Sequence, residues 1–323
     1  MITTLDVKGF KSVKSIRLDC RRINLLIGEP NTGKSNILEA LGFLSCYAHG
    51  GALRDFVRFE QVQDLFYDGL VEKGAWRLAI TGHVNFETEG NYGARGYQFT
   101  QAGQGDMVTL DPAGVRRSGT APKQLRFIKF YRFRRGARMD SSTLDGLLPP
   151  DGTNMVALVF SRKELRQLAA DYFKPFGLQF LIKPHEHKFE IQKQSEGVAV
   201  GFPYRLASDT LQRMVFYRVA IESNRDSTLV FEEPEAHAFP YYTKHLGERI
   251  ALDENGNQFF IATHNPYLLS AVVEKAPAAD VAVFATYYRD YETRVKRLSE
   301  SELERLFEGD PFMGIEHLLE EGE

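Results

Sequence analysis

The stretch that most narrows what this chain can become is Gly28-Glu29-Pro30-Asn31-Thr32-Gly33-Lys34-Ser35, because what lies on either side of it is also constrained. Ile23–Ile27 is a compact apolar run that ends directly at Gly28. After Ser35, the apolar positions Ile37, Leu38, Leu41 and Leu44 recur at helical spacing with no proline among them. Strand, glycine-rich turn and helix in that order form the setting in which G-x-x-x-x-G-K-S cradles phosphate. Backbone N–H groups would curl around a β-phosphate, with the helix N-terminus adding its partial positive charge. Lys34 would reach the β- and γ-phosphates, and the Ser35 hydroxyl would ligate Mg²⁺. Gly28 and Gly33 are expected where a side chain would block the backbone's approach to the ligand. Glu29, Pro30, Asn31, Thr32 and Asn36 complete the expected nucleotide-binding stretch. The competing reading is a chance glycine-rich turn, which the flanking strand and helix disfavour.

A phosphate cradle that turns over ATP needs carboxylates beside it, one for the metal and one for the attacking water. Thr228–Phe231, with Leu229, Val230 and Phe231 apolar, reads as a strand that runs into Glu232 and Glu233. Glu232 is expected to hold Mg²⁺ through water, and Glu233 to polarise the attacking water. Another apolar strand, Gln258–Ala262, leads to Thr263 and His264. That places His264 at a strand's C-terminal edge, where open α/β sheets bind ligands, as a sensor of the γ-phosphate. Ordinary buried strands ending in solvated polar residues would look similar. The repetition of the pattern argues for a site.

The bulk properties agree with a folded ATPase. The chain has 323 residues, 43% hydrophobic and 26% charged, with a net charge of −3 that speaks against a surface coated in nucleic acid. Cys20 and Cys46 have no metal-ligand spacing and make no disulfide framework, so a reducing, cytoplasmic setting is expected. No run of about 18 apolar residues is present, so no membrane span is expected.

Elsewhere the pattern is coarser. Thr3–Gly9 and Ser15–Asp19 alternate as a β-hairpin. Short strands are expected at Trp76–Thr81 and Tyr97–Thr100, in an antiparallel arm. Helices are expected at Met155–Ala170, Ser208–Ser223 and Ser299–Phe307, with Thr153 or Asn154 able to cap the first of them. The segment 123–138 carries Lys123, Arg126, Lys129, Arg132, Arg134, Arg135 and Arg138 among Phe127, Phe130, Tyr131 and Phe133. It reads either as a track for DNA or, more economically, as a strand with aromatics inward and its basic residues solvated or paired. His185 and His187 share one face if their segment is a strand, but further metal ligands are not evident.

At this point the sequence resembles a family. FKS (10–12), GEPNTGKSNILEAL (28–41), LLPPDGTN (147–154), SDTLQR (208–213), LVFEEPEAH (229–237) and FIATHNPYLL (260–269) follow the order seen in ABC-type ATPase heads of the RecF, SMC and OLD group. The match is closest to short AAA-type ATP-binding proteins linked to genome maintenance and phage defence. It covers essentially the whole chain and is weak across 50–146. The resemblance implies an α/β P-loop NTPase of ABC type, with a central mostly parallel sheet, flanking helices and an antiparallel β arm. It implies one domain over 1–323, with 1–49 and about 205–323 as nucleotide core and about 50–204 as arm and helical insertion.

The mechanism implied is a head-to-tail homodimer, or a higher oligomer, that sandwiches two ATPs. Ser208, Asp209 and Thr210 would then act in trans, with Ser208 capping the signature helix and its tip aimed at the partner's γ-phosphate. A metal-sensing glutamine would be Gln61 or Gln63, and Lys11 would approach the phosphates. Two departures stand out: Thr210 replaces the usual glycine, and Glu232 replaces the usual aspartate, so a slow ATPase is expected. About 60 residues follow His264, too few for the OLD group's nuclease domain. The effector is therefore expected to be a separate protein, a nuclease or toxin, or DNA. A non-hydrolysing, ATP-dependent scaffold is the alternative. A small-molecule kinase is disfavoured because EEPEAH and ATHNP have no role in one.

Overall fold

A computed structural model describes residues 1–323 apart from 94–95, 102–103, 112–113, 119–120, 310, 313–314, 316–318 and 320–323. The chain begins with the expected hairpin, β1 (Ile2–Phe10) and β2 (Val13–Asp19), turning at Lys11 with a left-handed φ of 54°. Then come β3 (Ile23–Ile27), the cradle and α1 (Lys34–His49). After a run of short turns, β4 (Trp76–Gly82), β5 (Phe86–Gly93), β6 (Gly96–Gln101), β7 (Gln104–Leu110) and β8 (Arg116–Ser118) extend the N-terminal hairpin. They form one antiparallel sheet in the order β2-β1-β4-β5-β6-β7-β8.

The basic segment supplies β9 (Ile128–Tyr131). The helix expected over 155–170 is two helices, α2 (Met155–Ser161) and α3 (Lys163–Asp171), broken at Arg162. Arg162 is extended, and its guanidinium donates to the carbonyls of Ser223, at 3.2 Å, and Leu144, at 2.6 Å. Tertiary hydrogen bonds here outweigh helix propensity. Asn154 sits at the N-cap of α2 without capping it. Its amide instead bonds the loop before it, to Leu148 N–H at 2.8 Å and the Gly146 carbonyl at 2.7 Å.

A small antiparallel sheet follows, made of β10 (Gln179–Lys183), β11 (Lys188–Ser195) and β12 (Val198–Pro203). The His185–His187 stretch is not a strand. Pro184–Glu186 is a 3₁₀ turn, and His187 is left-handed at φ 49°, closing the β10–β11 hairpin. Among the described residues no group of three or more His, Cys, Asp or Glu is placed to hold a metal.

The remainder is α4 (Asp209–Ser223), β13 (Thr228–Glu232), α5 (Pro240–Ala251), β14 (Gln258–Ala262), α6 (Pro266–Lys275), β15 (Val281–Arg289), β16 (Glu292–Arg297) and α7 (Glu300–Phe307). The central sheet runs β16-β15-β3-β14-β13-β9, all parallel except β16. Its inner strands β3, β14 and β13 are mostly apolar because both faces are covered. Leu25, Ile27, Leu229, Phe231, Phe259 and Ile261 face a core shared with α4, α5 and α6. Leu26, Val230, Phe260 and Ala262 face a second core shared with α1 and the antiparallel sheet.

Candidate functional site

Parallel pairing decides where the site lies. Ala262 is in register with both Leu26 and Glu232, so β3, β14 and β13 end level with one another. The cradle, Thr263–His264 and Glu232–Glu233 therefore share one edge of the sheet, the edge where such sheets hold ligands.

The cradle's backbone is left-handed at Gly28 (φ 140°), Asn31 (φ 65°) and Gly33 (φ 97°). The need for glycine arises in part from a neighbour the sequence did not reveal. A Cβ on Gly28 would lie 2.2 Å from the Thr286 carbonyl, and one on Gly33 would lie 2.0 Å from the Thr293 hydroxyl. The β15–β16 hairpin thus presses on the outside of the loop. Thr286 also meets the Thr32 hydroxyl at 2.9 Å, and Thr32 donates to the Glu29 carbonyl at 2.9 Å. Asn36 donates to the Ser12 hydroxyl at 2.7 Å, tying the first turn of α1 to the β1–β2 bend.

Lys34 is buried, and its ammonium donates to the carbonyls of Gly28, at 2.8 Å, and Glu29, at 2.6 Å. Desolvation pulls its pKa down to about 8, with Glu233 and Glu29 opposing the drop. The first turn of α1 carries no acidic residue, and no side chain caps its N-terminus. Open helix amides and a poorly neutralised ammonium at one loop form a donor set suited to a nucleotide polyphosphate. Ser35 is half-buried on the same turn, where its hydroxyl could serve a divalent cation.

The adjacent acids have opposite surroundings. Glu232 is gripped by Arg58 at 3.1 Å and Arg132 at 2.9 Å. Both guanidinium groups also reach fully buried Glu39, at 2.7 and 3.5 Å, which Lys11 meets from the β1–β2 bend. Three cations thus share two carboxylates beneath the cradle. Lys11 also donates to the Arg58 carbonyl at 2.8 Å. Glu39 and Arg58 were not foreseen. The available signal was one acid inside the otherwise apolar stretch Ile37–Leu44 of α1.

Glu233 takes a left-handed φ of 42°, and its N–H donates to the Ala262 carbonyl at 2.9 Å. His264 Nε2 lies 3.3 Å from Glu233 Oε1. That hydrogen bond, helped by the charges of His264, Lys34 and Arg58, holds the Glu233 carboxyl below its ordinary range. Behind the pair is Glu235, also unforeseen, 4% exposed and accepting from the Thr263 hydroxyl at 2.5 Å. Its second oxygen has no hydrogen-bond partner among the described residues, and burial pushes its pKa up to about 7. Thr263 in turn accepts from the Asn265 N–H at 3.0 Å, which fixes the backbone on both sides of His264.

Gln61 is the N-cap of a 3₁₀ turn over Val62–Leu65, in a capping box with Asp64, and is exposed. Gln63 sits inside that turn, which is tied to the β1–β2 bend by Lys11 N–H to the Leu65 carbonyl at 3.1 Å. Neither arrangement selects one glutamine as metal sensor.

Ser208 is the N-cap residue of α4, but its hydroxyl makes no capping bond, contrary to expectation. Asp209 meets Arg213 at 3.6 Å. Thr210 donates to the His237 carbonyl at 2.8 Å, so the residue standing in place of glycine ties α4 to the end of EEPEAH.

In the basic segment, Ile128, Phe130 and Tyr131 are fully buried as β9, on the edge of the central sheet. Arg132 pairs with Glu232, Arg134 with Asp55 at 2.6 Å, and Arg135 bonds the Arg205 carbonyl at 2.7 Å. Burial lowers Lys129 to about 8. Lys123, Arg126 and Arg138 are left exposed. Cys20 and Cys46 are free thiols, both pushed up to about 12 by burial. No helix among the described residues is long and apolar enough to cross a membrane.

Comparison with known proteins agrees with this fold. A family model described as an AAA domain, putative AbiEii toxin, Type IV TA system, matches residues 134–270, which include Glu233 and His264 but not the cradle. A solved SmcHead bound to the C-winged helix domain of ScpA superposes with a TM-score of 0.60 at 14% identity, covering 94% of this chain and 99% of that one. An Smc head domain with an extended coiled coil, bound to the C-terminal domain of ScpA derived from Pyrococcus furiosus, gives 0.57 at 14% identity, over 95% and 98%. No curated protein matches. The chain has the P-loop NTPase fold of the solved Smc heads, the ABC-type head fold that the sequence implied.

Proposed function

We propose that this chain binds ATP with Mg²⁺ and hydrolyses it slowly, pairing head-to-tail with a second copy to gate a separate effector. The observation that carries this reading is the Glu233–His264 pair, 3.3 Å apart on the same sheet edge as Lys34. Lys34, the cradle amides and Ser35 would hold the phosphates and metal, and bound Mg²⁺ would offset charge on the β- and γ-oxygens. Glu233, kept ionised by its neighbours, would orient the attacking water. His264 would turn from Glu233 to the γ-phosphate as the site closes. Slow turnover is the expected consequence of Glu232 being held by Arg58 and Arg132, which leaves a metal contact through water rather than directly.

The α4 tip at Ser208, Asp209 and Thr210 would complete the partner's site, with helix amides that no side chain of its own caps. The effector is proposed to be a polypeptide, a nuclease or toxin in phage defence. The two Smc heads were solved with ScpA bound, and the family model's description names a toxin. The segment 123–138 is not favoured as a track for DNA, because most of its cations are buried or bonded within the chain.

Phosphate release measured with wild type, Lys34→Ala and Glu233→Gln tests the reading. Both variants should lose Mg²⁺-dependent hydrolysis, and wild-type rates in both would refute the assignment. The Arg58 and Arg132 grip on Glu232 also favours a second reading, an ATP-dependent scaffold without turnover. Under it, Glu233→Gln keeps biological activity and Lys34→Ala abolishes it.

A further inference from the structure

Away from the sheet edge, a cavity of about 840 Å³ opens between α3, α4 and α5. Arg162, Arg218, Arg225 and Arg249 line it together with His245, and their charges are poorly answered. One carboxylate, Glu222, serves both Arg218 at 3.0 Å and Arg249 at 2.8 Å. Among the described residues Arg162 bonds only backbone carbonyls and Arg225 pairs with no carboxylate. The Nε–H groups of Arg218 and Arg249 are buried with no acceptor among the described residues. A buried guanidinium N–H without a partner is costly, and a phosphate oxygen is the acceptor its planar fork fits. Burial, and then Arg218 at 3.0 Å, lower the pKa of His245, with Glu248 opposing the drop. Glu164 and Asp171 are the other acids of the lining, both on α3 and both exposed.

Aromatic rings stand on the same side. Tyr172 and Tyr242 lie with centroids 6.2 Å apart, and Tyr241 packs edge-on to Tyr242 at 5.3 Å. Tyr241 is 69% exposed, a large face turned outward with no covering layer. Cations beside open aromatic faces are the means by which proteins hold nucleotides, phosphate on one group and base on the other.

We propose that this cavity is a second ligand site, for a nucleotide phosphodiester of about dinucleotide length, separate from the cradle. Arg225 and Arg249 contact phosphate and Tyr241 stacks a base. The position gives the site a route to the ATPase edge. Its floor is the C-terminal half of α4, whose tip carries Ser208–Thr210, and its wall is α5, which follows directly on EEPEAH.

The test is equilibrium dialysis of the full chain carrying Lys34→Ala, which silences the cradle. The probes are 5′-phosphorylated dithymidylate and, separately, a twelve-residue oligothymidylate. One salt-sensitive site per chain is expected, weakened roughly tenfold by Arg225→Glu and again by Tyr241→Ala. Both positions are exposed, and circular dichroism checks that each variant is folded. Equal affinity for the two probes identifies a free small nucleotide as the ligand, and much tighter oligomer binding identifies a single strand. No binding of either probe at millimolar concentration overturns the proposal. So does binding that Arg225→Glu and Tyr241→Ala leave unchanged.

Discussion

The molecule contains two large sheets, and they put their side chains to different use. In the parallel sheet, β3, β14 and β13 all end at one edge, and loops leaving it bring Lys34, Glu233 and His264 together. In the antiparallel sheet, neighbouring strands end at opposite edges, so loop residues cannot converge in the same way. What it assembles instead is a face. Trp76, fully buried, meets Phe43 at 4.9 Å, Phe99 at 5.2 Å and Phe10 at 5.8 Å. Its cross-strand neighbour is Gly90, where a Cβ would come within 2.2 Å of the indole. One sheet concentrates polar chemistry at its rim, and the other supplies the wall on which α1 rests.

This contrast can be broken by crossing readouts. The two largest effects should fall on opposite sheets and leave each other's signal alone. Glu233→Gln should cut hydrolysis by roughly 10³-fold, about 4 kcal/mol in the barrier, while thermal unfolding stays near wild type. Trp76→Ala should lower stability by about 3–5 kcal/mol in denaturant unfolding, while the folded fraction hydrolyses ATP normally. A Trp76 variant that is stable but inactive would show that the antiparallel sheet is part of the site.

Glu235 gives the next effect and joins the two kinds of role, since it is buried like a core residue yet supports the rim. Its folded pKa of about 7 exceeds the carboxylate's ordinary value, so the native state binds its proton more tightly than the unfolded chain does. The stability this provides is complete below about pH 4.5 and is lost as the pH rises through about 7, amounting to about 3 kcal/mol. Unfolding free energies measured from pH 4.5 to 8 should show that slope in wild type and lose it in Glu235→Gln. A slope that survives the substitution would place the titration elsewhere. The smallest effect is expected at Thr210→Ala. Losing the bond to the His237 carbonyl should cost about 1 kcal/mol of stability. A larger fall in turnover than in stability would assign the α4 tip to the chemistry.

Much of the central sheet was legible because its strands are buried on both faces and read as unbroken apolar runs with polar ends. Ile23–Ile27 and Gln258–Ala262 appear in the structure as read, and Thr228–Phe231 is longer by Glu232. The β15–β16 hairpin was overlooked although it had a signal. Asp290 and Tyr291 form a two-residue turn, left-handed at φ 52° and 62°, between two strands, the first rich in β-branched and aromatic residues. The break at Arg162 had none, since the carbonyls that hold it lie 18 and 61 residues away.

The site divides along the same line. GEPNTGKS, LVFEEPEAH and ATHNP each announce a strand followed by chemistry, because the backbone conformations and polar ends they need are local properties. The fate of each group once brought together is not local. That Glu232 is taken by Arg58 and Arg132, Glu233 by His264 and Thr210 by His237 depends on which loops cross the sheet edge. The sequence by itself determined the cradle motif and the order of the strands' polar ends, and with them the class of ligand proposed. Only the tertiary structure decided which charges neutralise one another, because ion pairs and burial are set by distances through space that residue order does not specify.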